Sequence, residues 1–198
     1  KHLGRMLAAV ADSLLDGARG NSGAIVAQFF QGVSDSAGEL RRFTTYTFGK
    51  AMRQGAEYAH DALANPREGT ILSVIAAFAD YVAHHANKEQ EGDFAALMQE
   101  AVGHAEKALA ETPVHVEVLR KAGVVDAGAK GFVSLLRGMH TFIVDGRVTE
   151  APDLAILGGL DAVVETAGSD ADSAYRFCTE CIVNGSDIDR RKLREALS

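Results

Sequence analysis

The sequence is short of the residues that cross-link or interrupt a chain. Its 198 residues include three prolines, two cysteines and no tryptophan. Cys178 and Cys181 stand together as C-T-E-C. That spacing suits a metal or redox pair, but one C-x-x-C lacks a second ligand pair within this chain, and both are read as free or buried thiols. No apolar run approaches the roughly 18 residues needed to span a bilayer, and the start lacks the pattern of a secretory signal. Positive charge is also scarce: 20 Lys and Arg against 27 Asp and Glu leave a formal net charge of -7. That balance argues against a general binder of nucleic acid or anionic membrane, while leaving room for a local basic pocket. The expected compartment is the cytoplasm.

What is present is helical periodicity. With 47% hydrophobic and 24% charged residues, the chain can bury one sizeable core. Leu3, Met6, Leu7, Val10 and Leu14 recur at helical spacing, and Ile25, Val26, Phe29, Phe30 and Val33 repeat the pattern. A third helix is expected from Phe43 to Leu63, ended by "NPREGT", where Pro66 breaks the hydrogen-bond ladder and Gly69 loosens it. Ile71 to Val82 marks a fourth helix, with His84 and His85 in the polar loop behind it. A fifth spans Asp93 to Glu111. Thr112-Pro113 reads as a cap and first-turn proline opening a short sixth helix, which Gly123 ends. The seventh carries Phe132, Leu135, Leu136, Met139, Phe142 and Ile143.

Composition changes after Thr149. "AYRFCTECIV", Ala174 to Val183, alternates like a strand, and a helix is expected from Ile188 to Leu197. One strand cannot form a sheet alone, so this tail reads as half of an α/β unit. The organisation is therefore a helical domain over 1–148, a linker over 149–173, and the start of a small α/β domain over 174–198. Lys1 already lies within helical periodicity and "DRRKLREALS" closes on it, so both ends read as cut.

Three loop-to-helix junctions are rich in glycine and small polar residues. In "GARGNSGAIVAQFF", Gly20, Asn21, Ser22 and Gly23 precede an apolar helix, with Arg19 beside them. The plain reading is an interhelical loop in which Asn21 or Ser22 caps the helix. The functional reading is an anion cradle: free helix N-terminal amides and the helix dipole favour phosphate, Ser22 and Asn21 add donors, and Arg19 adds charge. The motif is not a Walker A loop, since G-K-[ST] is absent. "EGTIL" places Thr70 as a cap or a phosphate neighbour in the same way. In "VVDAGAKGF", Asp126 can cap while Gly128 and Gly131 permit close backbone approach. If the helices pack side by side, these starts can converge at one end of a bundle. The seven histidines show no H-x-x-x-H pair, and no nucleophile–base order stands out.

"LLDGARGNSGAIVAQFFQG", "EGTILSVI" and "AGVVDAGAKGF", in that order, resemble the DhaL-like kinase family over roughly Lys1 to Val148. The nearest branch is similar to the nucleotide-binding domain of bacterial fatty acid kinase, the more distant one to the ADP-binding subunit of dihydroxyacetone kinase. "YRFCTECIV" resembles the start of the fatty acid kinase middle domain. The resemblance implies an all-α barrel of about eight antiparallel helices that binds ATP at one end. It implies transfer of the γ-phosphoryl group to an acceptor on a partner, for this branch a fatty acid on a DegV-type lipid-binding protein. By position, Gly20, Asn21, Ser22 and Gly23 would contact phosphates and Thr70 would lie near them. Asp126, Ala127 and Gly128 would line the nucleoside side, with D-A-G standing where the dihydroxyacetone kinase branch has D-P-G.

The family's D-G-D-T-G loop, whose aspartates hold magnesium, lies upstream of the first helix and is absent from this chain. The Mg ligands are expected there, none here. Likewise Cys178 would join a structural zinc only with histidines past Ser198, so no zinc is expected in this chain. The alternatives are dihydroxyacetone kinase-type activity and a non-catalytic nucleotide-binding or interaction module. The oligomeric state stays open, a homodimer included.

Overall fold

The computed structural model describes residues 2–86, 92–146 and Lys192. By internal contacts the chain divides into Lys1–Val148 and Thr149–Ser198, and the described fold is that of the first unit. It contains α1 (Leu3–Gly17), α2 (Gly20–Ala37), α3 (Thr45–Asp61), α4 (Ile71–His85), α5 (Phe94–His115), α6 (Glu117–Ala122) and α7 (Ala127–Asp145). Among the described residues there are seven helices and no strand. The strand and helix expected within 174–198, the linker, and Cys178 and Cys181 lie outside the described residues.

Short connections make consecutive helices neighbours: α1 packs on α2, α2 on α3, α3 on α4 and α4 on α5. α7 then closes against both α4 and α5. The core centres on α4, whose Val74, Ile75, Phe78 and Val82 are fully buried with Met98 of α5 and Val133 and Leu136 of α7. Burying each such side chain contributes about 1.5–3 kcal/mol. Phe132 of α7 meets Phe29 of α2 edge-on at 5.3 Å and Phe78 of α4 at 6.3 Å. Phe132 follows Gly128 by four residues, one helical turn, so these rings set how closely the starts of α2 and α7 approach.

Five helices begin with a side chain accepting from a first-turn amide: His2 for α1, Thr44 for α3, Thr70 for α4, Asp93 for α5 and Asp126 for α7. α2 and the six-residue α6 have none.

The structure corrects several expectations. Thr112-Pro113 does not open a helix; α5 runs through Pro113 to His115. Proline removes one amide, and the hydroxyl of Thr112 donates to the freed Leu109 carbonyl at 2.8 Å instead. His84 and His85 are not in a loop but in the last turn of α4, where their Nδ1 atoms bond Asp80 and Tyr81 carbonyls at 2.8 and 2.9 Å. α3 is shorter than the expected Phe43–Leu63, because Thr44 caps it and a non-helical turn begins after Asp61. The periodic positions of α1 and α7 are only partly core. Leu7 is buried but Met6 is 56% exposed, and Leu136 is buried while Phe142 is 52% exposed. Each of these helices is covered on the side facing its neighbours and bare on the other.

Candidate functional site

The first and third junctions meet directly. A β-carbon on Gly128 would lie 2.5 Å from the Oγ of Ser22, 3.1 Å from its Cβ and 3.5 Å from Oδ1 of Asp126. Only hydrogen on Gly128 lets Ser22 sit against the first turn of α7. Asp126 in turn holds that turn, its Oδ1 accepting from the amide of Ala129 at 2.7 Å. Ala127 starts the helix and is exposed. Gly131 faces open space, so the expected close approach there does not occur.

The second junction joins them through a residue that sequence reasoning missed. Gly69 has φ +75, and a β-carbon on it would come within 2.5 Å of His115 Cβ and 3.0 Å of the Thr112 carbonyl oxygen. Its amide donates to Ser73 Oγ at 2.9 Å. Thr70 is the N-cap of α4, accepting from Leu72 N at 3.4 Å and donating to the Arg67 carbonyl at 2.7 Å. Behind Gly69, fully buried Thr112 accepts from the backbone amide of Asp126 at 3.1 Å. Thr70 therefore reaches Asp126 by way of Gly69 and Thr112, and Ser22 by way of Gly128. The sequence signal was the Thr-Pro pair itself, which marked the place and was read as a helix start.

The glycine-rich junction is otherwise open. Gly20 has φ +62, Asn21 and Ser22 are exposed, and Gly23 packs beside Ala18. Among the described residues, no hydrogen bond engages the side chain of Asn21 or Ser22, and neither caps α2, whose N-cap is Arg19. The Arg19 guanidinium turns back to α1, with Nη1 donating to the Ala18 carbonyl at 2.7 Å and the Asp16 carbonyl at 3.4 Å.

The result is an end of the bundle where the starts of α2, α4 and α7 collect. The α4 and α7 starts are capped from within and the α2 start is not. First-turn amides without an internal partner, at the positive end of a helix dipole, accept anions. Among the described residues no three His, Cys, Asp or Glu side chains converge as a metal ion requires. Asp126 is the one carboxylate identified at the Ser22–Gly128 contact. A separate cleft of about 540 Å³ runs between α3 and α4, lined by Arg53, Glu57, His60, Asp61 and Asp80, none of them a residue singled out from sequence. A smaller one of about 220 Å³, with His60, Pro66, Arg67, Glu68 and Ser73, flanks the α4 start.

The DAK2 domain family matches residues 1–141. The chain belongs to the DAK2, or DhaL-like, domain family. That family includes the ATP-binding subunits of kinases. Protein YloV of Bacillus subtilis is 34% identical over 208 residues, covering 99% of this chain and 37% of that protein. Protein SSP1546 of Staphylococcus saprophyticus, uncharacterized, is 31% identical over 209 residues, covering 100% of this chain and 37% of its own length. The DAK2-family chain thus spans well under half the length of these relatives. No helix among its described residues is long and apolar enough to cross a membrane.

Proposed function

We propose that this domain binds ATP at the end of the bundle where α2, α4 and α7 begin, and serves a kinase that passes the γ-phosphoryl group to an acceptor on a partner protein or domain. One observation carries the reading. Ser22, Gly128 and Asp126 converge beside the uncapped start of α2, and the chain belongs to the DAK2 family. Phosphate oxygens would take the free amides after Gly20, the hydroxyl of Ser22 and the amide of Asn21. The dipole of α2 adds about 0.3–1 kcal/mol for such an anion. Gly23 lets the first turn of α2 seat against Ala18.

Asp126 repels phosphate but accepts from hydroxyl groups, so Asp126, Ala127 and Gly128 suit the nucleoside side of the ligand. Thr70, whose hydroxyl is engaged with Arg67, offers the α4 dipole more than a free donor. Among the described residues no three His, Cys, Asp or Glu side chains converge, and the magnesium that would neutralise the phosphates is proposed to be held by ligands upstream of this chain. The acceptor proposed is a fatty carboxylate presented by a DegV-type carrier, with dihydroxyacetone as the alternative. Calorimetric titration with ATP tests the binding. Phosphate transfer by the full-length protein to an acyl-loaded carrier, compared with dihydroxyacetone, tests the acceptor. Failure to bind ATP at millimolar concentration would remove the reading.

A further inference from the structure

Thr112 is fully buried and touches none of the atoms proposed to meet the ligand, yet it contacts both the second junction, at Gly69, and the third, at Asp126. Its hydroxyl has one proton and two lone pairs. The proton is committed: Pro113 deprives α5 of an amide, and Oγ1 of Thr112 donates to the Leu109 carbonyl at 2.8 Å. With the proton held there, a lone pair is left to face the α6–α7 connection, where the amide of Asp126 donates to Oγ1 at 3.1 Å. The carbonyl oxygen of the same residue is the wall against which Gly69 packs, 3.0 Å from where a β-carbon on Gly69 would stand. That carbonyl also accepts the Val116 amide at 3.1 Å, which keeps it from turning.

We propose that Thr112 is a positioning residue that fixes the start of α7 against the start of α4, so that Asp126 and Gly128 meet Ser22 at the nucleotide site. The inference rests on the nucleotide-site reading for its functional half only; the positioning half is a property of the unliganded fold. Pro113 has a part in it, since an ordinary amide at that position would compete for the Leu109 carbonyl and free the hydroxyl to rotate.

The test uses Thr112→Val, which keeps the shape and loses the hydroxyl, and Thr112→Ser, which keeps the hydroxyl. Amide hydrogen exchange on the full chain without nucleotide reads the position directly. Exchange at Asp126 and through the first turn of α7 is expected to rise at least tenfold in Thr112→Val and to return toward wild type in Thr112→Ser, while exchange in the α4 core stays unchanged. Calorimetry with ADP should show affinity about five- to tenfold weaker in Thr112→Val, in keeping with one lost hydrogen bond, and restored in Thr112→Ser. Unchanged exchange at Asp126 in a folded Thr112→Val would overturn the proposal, as would a Thr112→Ser variant no better than Thr112→Val. A wild-type chain that binds no ADP would sink the nucleotide reading, while exchange at Asp126 would still decide the positioning.

Discussion

The Oγ of Ser22 lies 2.5 Å from the point that a β-carbon on Gly128 would occupy. Two helix starts separated by more than a hundred residues of sequence meet at this spot, and the contact exists because one of the two residues lacks a side chain. Phe132, one turn further along α7, packs edge-on against Phe29 of α2, so the approach is set by the core rather than by the loop.

Gly128→Ala should therefore act on the site more than on the fold. Alanine favours a helix over glycine by up to about 1 kcal/mol, which offsets the tight contact in stability. The new methyl displaces the Ser22 hydroxyl, and ATP affinity should fall several-fold with little change in melting temperature. In a Ser22→Ala background the same substitution meets a smaller neighbour, so the two changes should be non-additive. A double-mutant cycle by calorimetry reads this, and strict additivity would argue that the two residues do not act together.

Ser22→Ala alone separates cradle from cap. Ser22 does not cap α2 and its side chain makes no hydrogen bond among the described residues, so the thermal midpoint should hold. If Ser22 donates to phosphate, ATP affinity should drop by about 1–2 kcal/mol, since bonds to charged groups contribute about 1.5–3 kcal/mol. A lowered midpoint with unchanged affinity is the opposite pattern.

Gly69→Ala should be the most damaging of these substitutions to the fold. It demands positive φ of a residue with a β-carbon, at about 1–2 kcal/mol, and drives that carbon into His115 and Thr112. Overpacking adds about 1–3 kcal/mol. Urea unfolding should show a loss of at least 2 kcal/mol, and a wild-type midpoint would contradict the packing described for this junction.

Asp126→Ala removes the cap of α7 and should cost about 1 kcal/mol of stability. Asp126→Asn keeps an acceptor for the Ala129 amide and should recover most of it. Nucleotide affinity should respond differently: losing a negative charge that repels the ligand's phosphates at a distance offsets the acceptor lost to the nucleoside, so binding should change less than stability does. Thermal melts and calorimetry on both variants give the comparison.

Much of this was legible in the sequence, for identifiable reasons. The helix starts at Thr70 and Asp126 were readable because a short polar side chain before an apolar run has one cheap local use, as an N-cap. Ile25 and Phe29 were readable as core because their spacing follows the helical repeat. Met6 and Phe142 follow the same repeat and are exposed, since periodicity records which face is apolar but not whether a neighbour covers it. Thr112 was misread because a proline after threonine fits the first turn of a helix as well as the last. Here the Thr112 hydroxyl takes the Leu109 carbonyl that Pro113 frees, and its remaining partner, the Asp126 amide, lies fourteen residues away. Arg19 was read either as solvated or as added charge for an anion. Its guanidinium bonds the Asp16 and Ala18 carbonyls at the end of α1, a choice that depends on a geometry the sequence does not encode locally.

Where ATP binds is the most direct test of the proposed site. Backbone-amide chemical-shift mapping of the full chain during titration with ATP answers this in one experiment. Asn21, Ser22 and Gly23 should shift together with Thr70 and with Asp126, Ala127 and Gly128, at a single dissociation constant. Shifts gathered instead around Arg53, Glu57 and His60, in the cleft between α3 and α4, with Ser22 and Gly128 unmoved, would contradict it.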